Sequence, residues 1–103
     1  LTAKAGPHLA PQLLSSGHNV FEELGSGFTL LAFDAEDSTV KDFEETAMSL
    51  NVPLKVVRDT YEDGRKKTES RLALVRPDQY VAWTGDTSPD DTARLMQKVT
   101  GIV

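Results

Sequence analysis

The fold of this chain depends first on the run GFTLLAF at residues 27–33. Gly27 begins this nearly continuous apolar segment and Asp34 follows it. A short apolar run bounded in this way is typical of a strand that is buried on both faces of a sheet. We therefore predict that residues 27–33 form the central strand.

The residues that follow predict a helix and then a second strand. The helix begins at Asp37 or Ser38 and ends at Asn51, because apolar residues recur at spacings of three and four: Val40, Phe43, Ala47 and Leu50. The second strand covers residues 54–58. Such a strand–helix–strand unit requires two parallel strands joined by a right-handed crossover.

The carboxyl-terminal third predicts a hairpin and a last helix. Residues 71–76 and 80–83 read as antiparallel strands joined by Pro77-Asp78-Gln79, in which Pro presets the first turn dihedral. Ser88 is predicted to cap the last helix, with Pro89 at its first position and Asp90 and Asp91 in its first turn. Its apolar stripe is Leu95, Met96, Val99 and Ile102 or Val103, with Lys98 near the negative end of the helix dipole.

Residues 1–18 contain Pro and Gly at intervals and predict an extended arm that lies over the core through Leu9, Leu13 and Leu14. Asn19 and Glu22 have the spacing of a capping box for a short helix over 20–24, and Gly25 suits a left-handed helix end. The polar stretch 59–70 predicts a surface loop or a short helix.

These elements predict an α/β fold of the thioredoxin-like class: a mixed four-stranded sheet with helices on both faces and an N-terminal arm. A ferredoxin-like fold would need a helix between the third and fourth strands, where only three turn residues lie. The 103 residues are expected to form one domain, with the arm at 1–18 and the core at 19–103. Since the chain starts at Leu1, we expect a fragment or a processed product.

Composition excludes several classes of function. The chain has no cysteine, which excludes disulfides, thiolate metal sites and thiol-based redox chemistry. Its net charge of −5 opposes binding to nucleic acid, and the basic run Arg65-Lys66-Lys67 is short and flanked by acids. No apolar run approaches the roughly 20 residues that span a membrane.

The segment 34–39 lies where a thioredoxin would carry its two cysteines, and it reads as a solvated acidic loop. Glu69-Ser70-Arg71 occupies the place of the cis-proline that such enzymes carry before the third strand. Gly25-Ser26-Gly27 precedes a strand, whereas a phosphate-binding loop must follow one, so we interpret it as a helix stop and a strand entry.

The remaining candidates also favour structural roles. His8 and His18 lack a third metal ligand, and Ser15 and Ser16 near His18 lack the strained turn of a serine nucleophile. Tyr80 and Trp83 are interpreted as packing residues on opposite faces of the last strand, with an exposed aromatic interface as the alternative. The acidic residues of the first long helix form a solvated face: Asp37, Asp42, Glu44 and Glu45. We therefore predict no catalytic, cofactor-binding or metal-binding residue.

Three segments carry a family resemblance: LALVRPDQYVAW at 72–83, GSGFTLL at 25–31, and Pro7-His8 in the arm. Together they resemble the C-terminal thioredoxin-like domain of single-component FAD-dependent aromatic hydroxylases, the relatives of phenol hydroxylase, 3-(3-hydroxyphenyl)propionate hydroxylase and polyketide oxygenases. The chain departs from the family at Gln79, where glycine is frequent, and at Lys4-Ala5-Gly6, where an arginine often precedes the Pro-His pair.

The resemblance implies a cytoplasmic parent monooxygenase that reduces FAD with NAD(P)H and hydroxylates an aromatic ring. This segment would then be its non-catalytic tail, packed against the upstream FAD and substrate domains and contributing to a homodimer, with no cofactor of its own. The alternative is a stand-alone, cysteine-free interaction module of thioredoxin-like fold. A Gly-x-Gly-x-x-Gly loop upstream in the reading frame would distinguish the two.

Overall fold

The computed structural model describes residues 8–60 and 70–101. The elements in chain order are α1 (Val20–Glu23), β1 (Phe28–Phe33), α2 (Asp37–Ser49), β2 (Leu54–Asp59), β3 (Leu72–Val75), β4 (Val81–Gly85) and α3 (Thr92–Thr100). Most of the predicted loop or short helix over 59–70, including the basic run 65–67, lies outside the described residues, as do Pro7, Ile102 and Val103.

Within the described residues the strands form one four-stranded sheet in the order β2-β1-β3-β4. β1 pairs parallel with β2, with Phe28 opposite Leu54. It pairs antiparallel with β3, with Thr29 opposite Val75, and β3 pairs antiparallel with β4. The predicted thioredoxin-like, mixed four-stranded sheet is therefore confirmed, with β1 as a central strand.

Alternation along β1 separates two apolar clusters, because successive side chains of a strand point to opposite faces. Leu30 and Ala32 face α2 and α3 in what we call the helix-face cluster, whose other buried members are Val40, Phe43, Ala47, Leu72, Leu74 and Met96. Leu31 and Phe33 face the arm and α1 in the arm-face cluster, whose other buried members are Leu9, Leu14, Val20, Val57, Ala73 and Val75. Helices thus lie on both faces of the sheet, as predicted.

The arm lies over the core as predicted, but not through all three leucines. Leu9 and Leu14 are buried, whereas Leu13 is 65% exposed. Leu13 pairs with Asn19 in an isolated bridge. Across the adjoining turn, Leu14 O accepts from Gly17 N–H, and Leu14 N–H donates to His18 O. Neighbouring residues of this extended segment point in opposite directions, so Leu13 and Leu14 cannot both face the sheet.

The predicted capping box of α1 is present. The Asn19 side chain accepts from the backbone of Phe21 and Glu22, and the Glu22 carboxylate accepts from Asn19 N–H. The predicted left-handed end at Gly25 is wrong. Leu24 ends the helix in an extended conformation and Gly25 has no positive φ, because the chain passes directly towards β1. Gly25 N–H instead donates to Thr29 Oγ1 at 2.9 Å.

The prediction that Ser88 caps the last helix is also wrong. α3 begins at Thr92, four residues later, and Asp91 is its cap, with a side-chain oxygen accepting from Arg94 N–H at 3.0 Å. Both residue types are good caps, and Asp91 lies directly before the residues whose apolar stripe packs on the sheet. Met96 is buried and Leu95 and Val99 pack against the same cluster, as the stripe predicted.

The hairpin between β3 and β4 has the predicted turn. Arg76 O accepts from Gln79 N–H at 2.9 Å, and Arg76 N–H donates to Tyr80 O at 2.8 Å. Pro77 and Asp78 therefore occupy the centre of the turn, and Gln79 adopts a left-handed φ of 72°. This geometry is a type I turn followed by a left-handed residue, a common three-residue hairpin loop.

Candidate functional site

The carboxyl end of β1 is the first place to search for chemistry, because α/β folds bind ligands outside the carboxyl ends of their parallel strands. Asp34 ends β1 with a left-handed φ of 51°, and its N–H donates to Asp59 O at 3.0 Å at the end of β2. Three residues further on, α2 begins at Asp37. The Asp37 carboxylate pairs with Arg58 at 2.9 Å, and both side chains are exposed to solvent. The loop predicted over residues 34–39 is therefore shorter, because residues 37–39 belong to α2, and the segment supplies carboxylates but no thiol.

Asp59 connects this end of the sheet to the arm. Its carboxylate accepts from the N–H of Ser15 at 2.9 Å and also from the Ser15 hydroxyl. Thr60 N–H donates to the same carboxylate at 2.8 Å. Partial burial raises the pKa of Asp59, but the bonds from Ser15 and Thr60 together outweigh burial and hold that pKa below its ordinary value. Asp59 is therefore an ionised structural acceptor at neutral pH and not a proton donor.

Arg71 occupies the position before β3 that faces this loop. Its carbonyl accepts from Phe33 N–H at 2.8 Å, and its own N–H donates to Asp86 Oδ1 at 3.0 Å. The guanidinium Nη1 donates to Asp34 O at 3.4 Å. Arg71 thus joins the ends of β1 and β4, which is a structural role at a position where a thioredoxin would contact its substrate.

The two histidines contact different residues: His18 bonds to Glu23, and His8 lies against Tyr80. His18 donates from Nδ1 to Glu23 at 2.7 Å, and this bond, together with the charges of Glu22 and Glu23, raises its pKa above the ordinary 6.5. Ser16 Oγ accepts from His18 N–H at 3.3 Å, whereas the Ser15 hydroxyl donates to Asp59, so these two serines bond to groups other than the imidazole. Within residues 8–60 and 70–101, no group of three or more His, Asp or Glu side chains could hold a metal ion.

The acidic face predicted on α2 is only partly a solvated face. Glu44 and Glu45 are exposed, but Asp42 is half-buried and accepts from the Thr92 hydroxyl at the start of α3. This contact joins two helices across 50 residues of sequence, and a single-sequence pattern could not reveal it.

His8 and Tyr80 share a surface that the sequence did not indicate. The His8 ring lies edge-on to Tyr80 at 5.1 Å and 5.9 Å from Phe21. We call these three side chains the aromatic patch. Trp83 instead contacts Phe43 at 5.5 Å on the helix face, so its predicted packing role is confirmed. Tyr80 is 38% exposed, and the alternative of an exposed aromatic residue applies to it.

The surroundings of Gly27 differ from those of a phosphate-binding glycine. A phosphate-binding glycine leaves open space at the amino end of a helix, but Gly27 opens a strand. A Cβ placed on Gly27 would lie 2.8 Å from Pro53 O, so the space beside this glycine is already filled by the chain itself. Within the same residues, no helix is both long and apolar enough to cross a membrane.

Together these features define a thioredoxin-like α/β domain. Ion pairs and hydrogen bonds of the chain itself occupy the carboxyl ends of β1 and β2, where a thioredoxin carries its reactive cysteines. The family model for the aromatic-ring hydroxylase C-terminal domain matches residues 4–103, and the chain belongs to this family.

Individual proteins of this kind are much longer than the chain. The FAD-dependent monooxygenase apdD of Emericella nidulans is 32% identical in an alignment 101 residues long, which covers 92% of this chain and 16% of that protein. The FAD-dependent monooxygenase opdD of Penicillium oxalicum is 31% identical in an alignment 102 residues long, which covers 92% of this chain and 19% of that protein. The rebeccamycin biosynthetic enzyme RebC with reduced flavin has a similar structure, with a TM-score of 0.80 at 28% identity over 99% of this chain and 20% of that chain. The chain therefore spans less than a quarter of these similar proteins.

Proposed function

We propose that this chain is the non-catalytic C-terminal domain of an aromatic-ring monooxygenase that uses FAD and NAD(P)H. The family match over residues 4–103 is the observation that carries this proposal. The local chemistry supports it, since the edge of the sheet that would be reactive in a thioredoxin holds Asp34, Asp59 and Arg71 in structural bonds. Flavin and aromatic substrate would then bind in the preceding part of the parent protein.

In this proposal the domain stabilises its parent by packing, and residues 1–103 act as one unit with no catalytic, cofactor-binding or metal-binding residue of their own. A domain that covers apolar surface of its neighbour affects solubility and stability more than chemistry. Contribution to a homodimer belongs to the same proposal, as does a cytoplasmic location, where NAD(P)H is supplied.

The test is removal of this domain from the full-length enzyme, followed by measurement of flavin content, of mass by light scattering and of substrate-stimulated NAD(P)H oxidation. We expect a lower melting temperature or a lower dimer content. Turnover per bound flavin should stay within roughly tenfold of the intact enzyme, which is about 1.4 kcal/mol of transition-state free energy. A truncated enzyme that stays folded, dimeric and flavin-loaded but loses turnover by roughly a thousandfold would contradict the proposal.

A further inference from the structure

The aromatic patch is a preorganised apolar surface at the junction of the arm and the hairpin. His8 and Tyr80 are paired through a backbone bridge, and Leu9 N–H donates to Gln79 O at 2.8 Å, so the backbone holds the two residues side by side. Phe21 completes the patch from α1 and packs against the arm-face cluster below it. Rings with an apolar body and a polar tip are frequent at protein interfaces, since they lose little conformational freedom on binding.

Within residues 8–60 and 70–101, the arm face is also the more thinly covered side of the sheet. Among the described residues, α2 and α3 cover the helix face with 13 and nine residues. On the arm face lie the extended arm and the four residues of α1, and Leu13 extends outward from the arm with 65% of its surface exposed. Apolar exposure on this side therefore comes from more than one element, which distinguishes it from a single exposed residue.

We propose that the aromatic patch, together with Leu13, is the surface that docks on the flavin-binding part of the same polypeptide. This inference rests on the proposed function. The family is a C-terminal one, and the chain corresponds to 16% and 19% of two similar monooxygenases, so the remaining four-fifths of such a protein would precede it.

The arm supplies the reason why that preceding part would meet this surface. His8 is itself a member of the aromatic patch, so a part of the polypeptide that precedes residue 1 would be tethered to the patch through only seven residues. A covalent tether raises the effective concentration of the neighbouring part to about the millimolar range, so a modest apolar surface is sufficient for stable docking.

Engineered thiols can test this docking directly, because the chain has no cysteine of its own. Tyr80→Cys and Leu13→Cys report on the proposed surface. Met48→Cys is the matched control, since Met48 is 78% exposed on α2, which covers the other face. Each variant is made in the full-length, flavin-loaded enzyme, and the rate of labelling by N-ethylmaleimide is followed by peptide-resolved mass spectrometry.

We expect Tyr80→Cys and Leu13→Cys to be labelled at least about tenfold more slowly than Met48→Cys in the full-length enzyme, because the reagent does not reach a covered thiol. In the isolated 103-residue chain the three rates should converge. If that chain does not fold alone, the comparison within the full-length enzyme decides.

Equal labelling of Tyr80→Cys and Met48→Cys in a flavin-loaded enzyme would overturn the docking surface and leave the proposed function intact. Protection that disappears on dilution would also overturn it, since it would assign the surface to a second copy. A full-length protein that binds no flavin and hydroxylates no aromatic ring would instead contradict the proposed function.

Discussion

Gln79 is the residue whose backbone conformation is least suited to its side chain. Its φ of 72° lies in the left-handed region, which costs an ordinary L-residue about 1–2 kcal/mol and glycine almost nothing. Gln79→Gly should therefore raise the free energy of unfolding by about 0.5 kcal/mol, after subtraction of the greater freedom of glycine in the unfolded chain. Urea denaturation measures the change.

Two controls make this prediction specific. Gln79→Ala removes the same side chain but keeps the Cβ, so it should not stabilise the domain. Asn51→Gly probes the left-handed residue at the end of α2, with a φ of 57°, and should gain less because asparagine tolerates this conformation better than glutamine. A loss of stability in Gln79→Gly would contradict the assigned turn.

His18 should make the stability of the arm depend on pH near neutrality. The bond to Glu23, with the charges of Glu22 and Glu23, raises the pKa of His18 in the folded protein above 6.5. A raised folded pKa stabilises the folded state at pH values below the ordinary pKa, and this contribution is lost as pH rises through the raised value. The wild-type protein should therefore exceed His18→Gln in melting temperature at about pH 5.5 and match it by about pH 9.

Glu23→Gln is the control for this pH dependence, because it removes the main acceptor and leaves the imidazole in place. In that variant the titration of His18, followed by NMR, should move down towards its ordinary pKa. A His18 pKa that is unchanged by Glu23→Gln would show that the ion pair does not form in solution.

At the scale of elements, the start of α3 distinguishes between two capping residues. Asp91 accepts from Arg94 N–H, whereas Ser88 lies three residues earlier in an irregular segment. Asp91→Ala should cost about 1 kcal/mol of unfolding free energy, within the usual range of about 0.5–2 kcal/mol for a lost cap. Ser88→Ala should stay within about 0.5 kcal/mol of wild type, because Ser88 is exposed and lies outside α3. The reverse order in thermal unfolding would restore Ser88 as the cap.

The elements could be predicted because their signals are local. The apolar run of β1, the spacing of Val40, Phe43 and Ala47 on α2, and the capping box at Asn19 each depend on residues only a few positions apart. The end of α1 was harder to predict, because its signal is not local. Gly25 lies close to Lys55 as a result of the pairing between β1 and β2 and not of the turn itself.

Long-range polar contacts could not be predicted from the sequence either, because they also depend on how distant segments pair in the fold. Ser15 and Asp59 are 44 residues apart, and Asp42 and Thr92 are 50 apart, so only the folded chain brings each pair together. Ser15 could be considered as a nucleophile near His18 from the sequence, but its bonds to Asp59 assign it to the attachment of the arm. The aromatic patch likewise depends on the bridge between His8 and Tyr80, which no periodicity indicates.

At the scale of the whole molecule, the two faces of the sheet differ in what they offer a neighbour. The helix face is closed by two amphipathic helices that are joined through Asp42 and Thr92. The arm face is held by extended backbone, by the ion pair of His18 with Glu23 and by the contacts of Ser15 with Asp59. A domain built in this way retains a buried core and exposes Leu13 and Tyr80 on the side where the arm crosses the sheet.

The isolated chain should bind no FAD, and this prediction concerns the molecule as a whole. Its net charge of −5 repels the pyrophosphate of FAD. Residues 25–27 are the segment whose sequence is most similar to a phosphate-binding loop, and Gly27 in this segment is packed against Pro53. Titration of the chain with FAD, followed by flavin fluorescence and compared with the full-length enzyme, should show no saturation at micromolar concentrations. Gly27→Ala separates the two possible roles of this glycine: it should lower the melting temperature, because overpacking costs about 1–3 kcal/mol, and leave the flavin signal unchanged. Stoichiometric FAD binding that Gly27→Ala abolishes would instead identify residues 25–27 as a cofactor site.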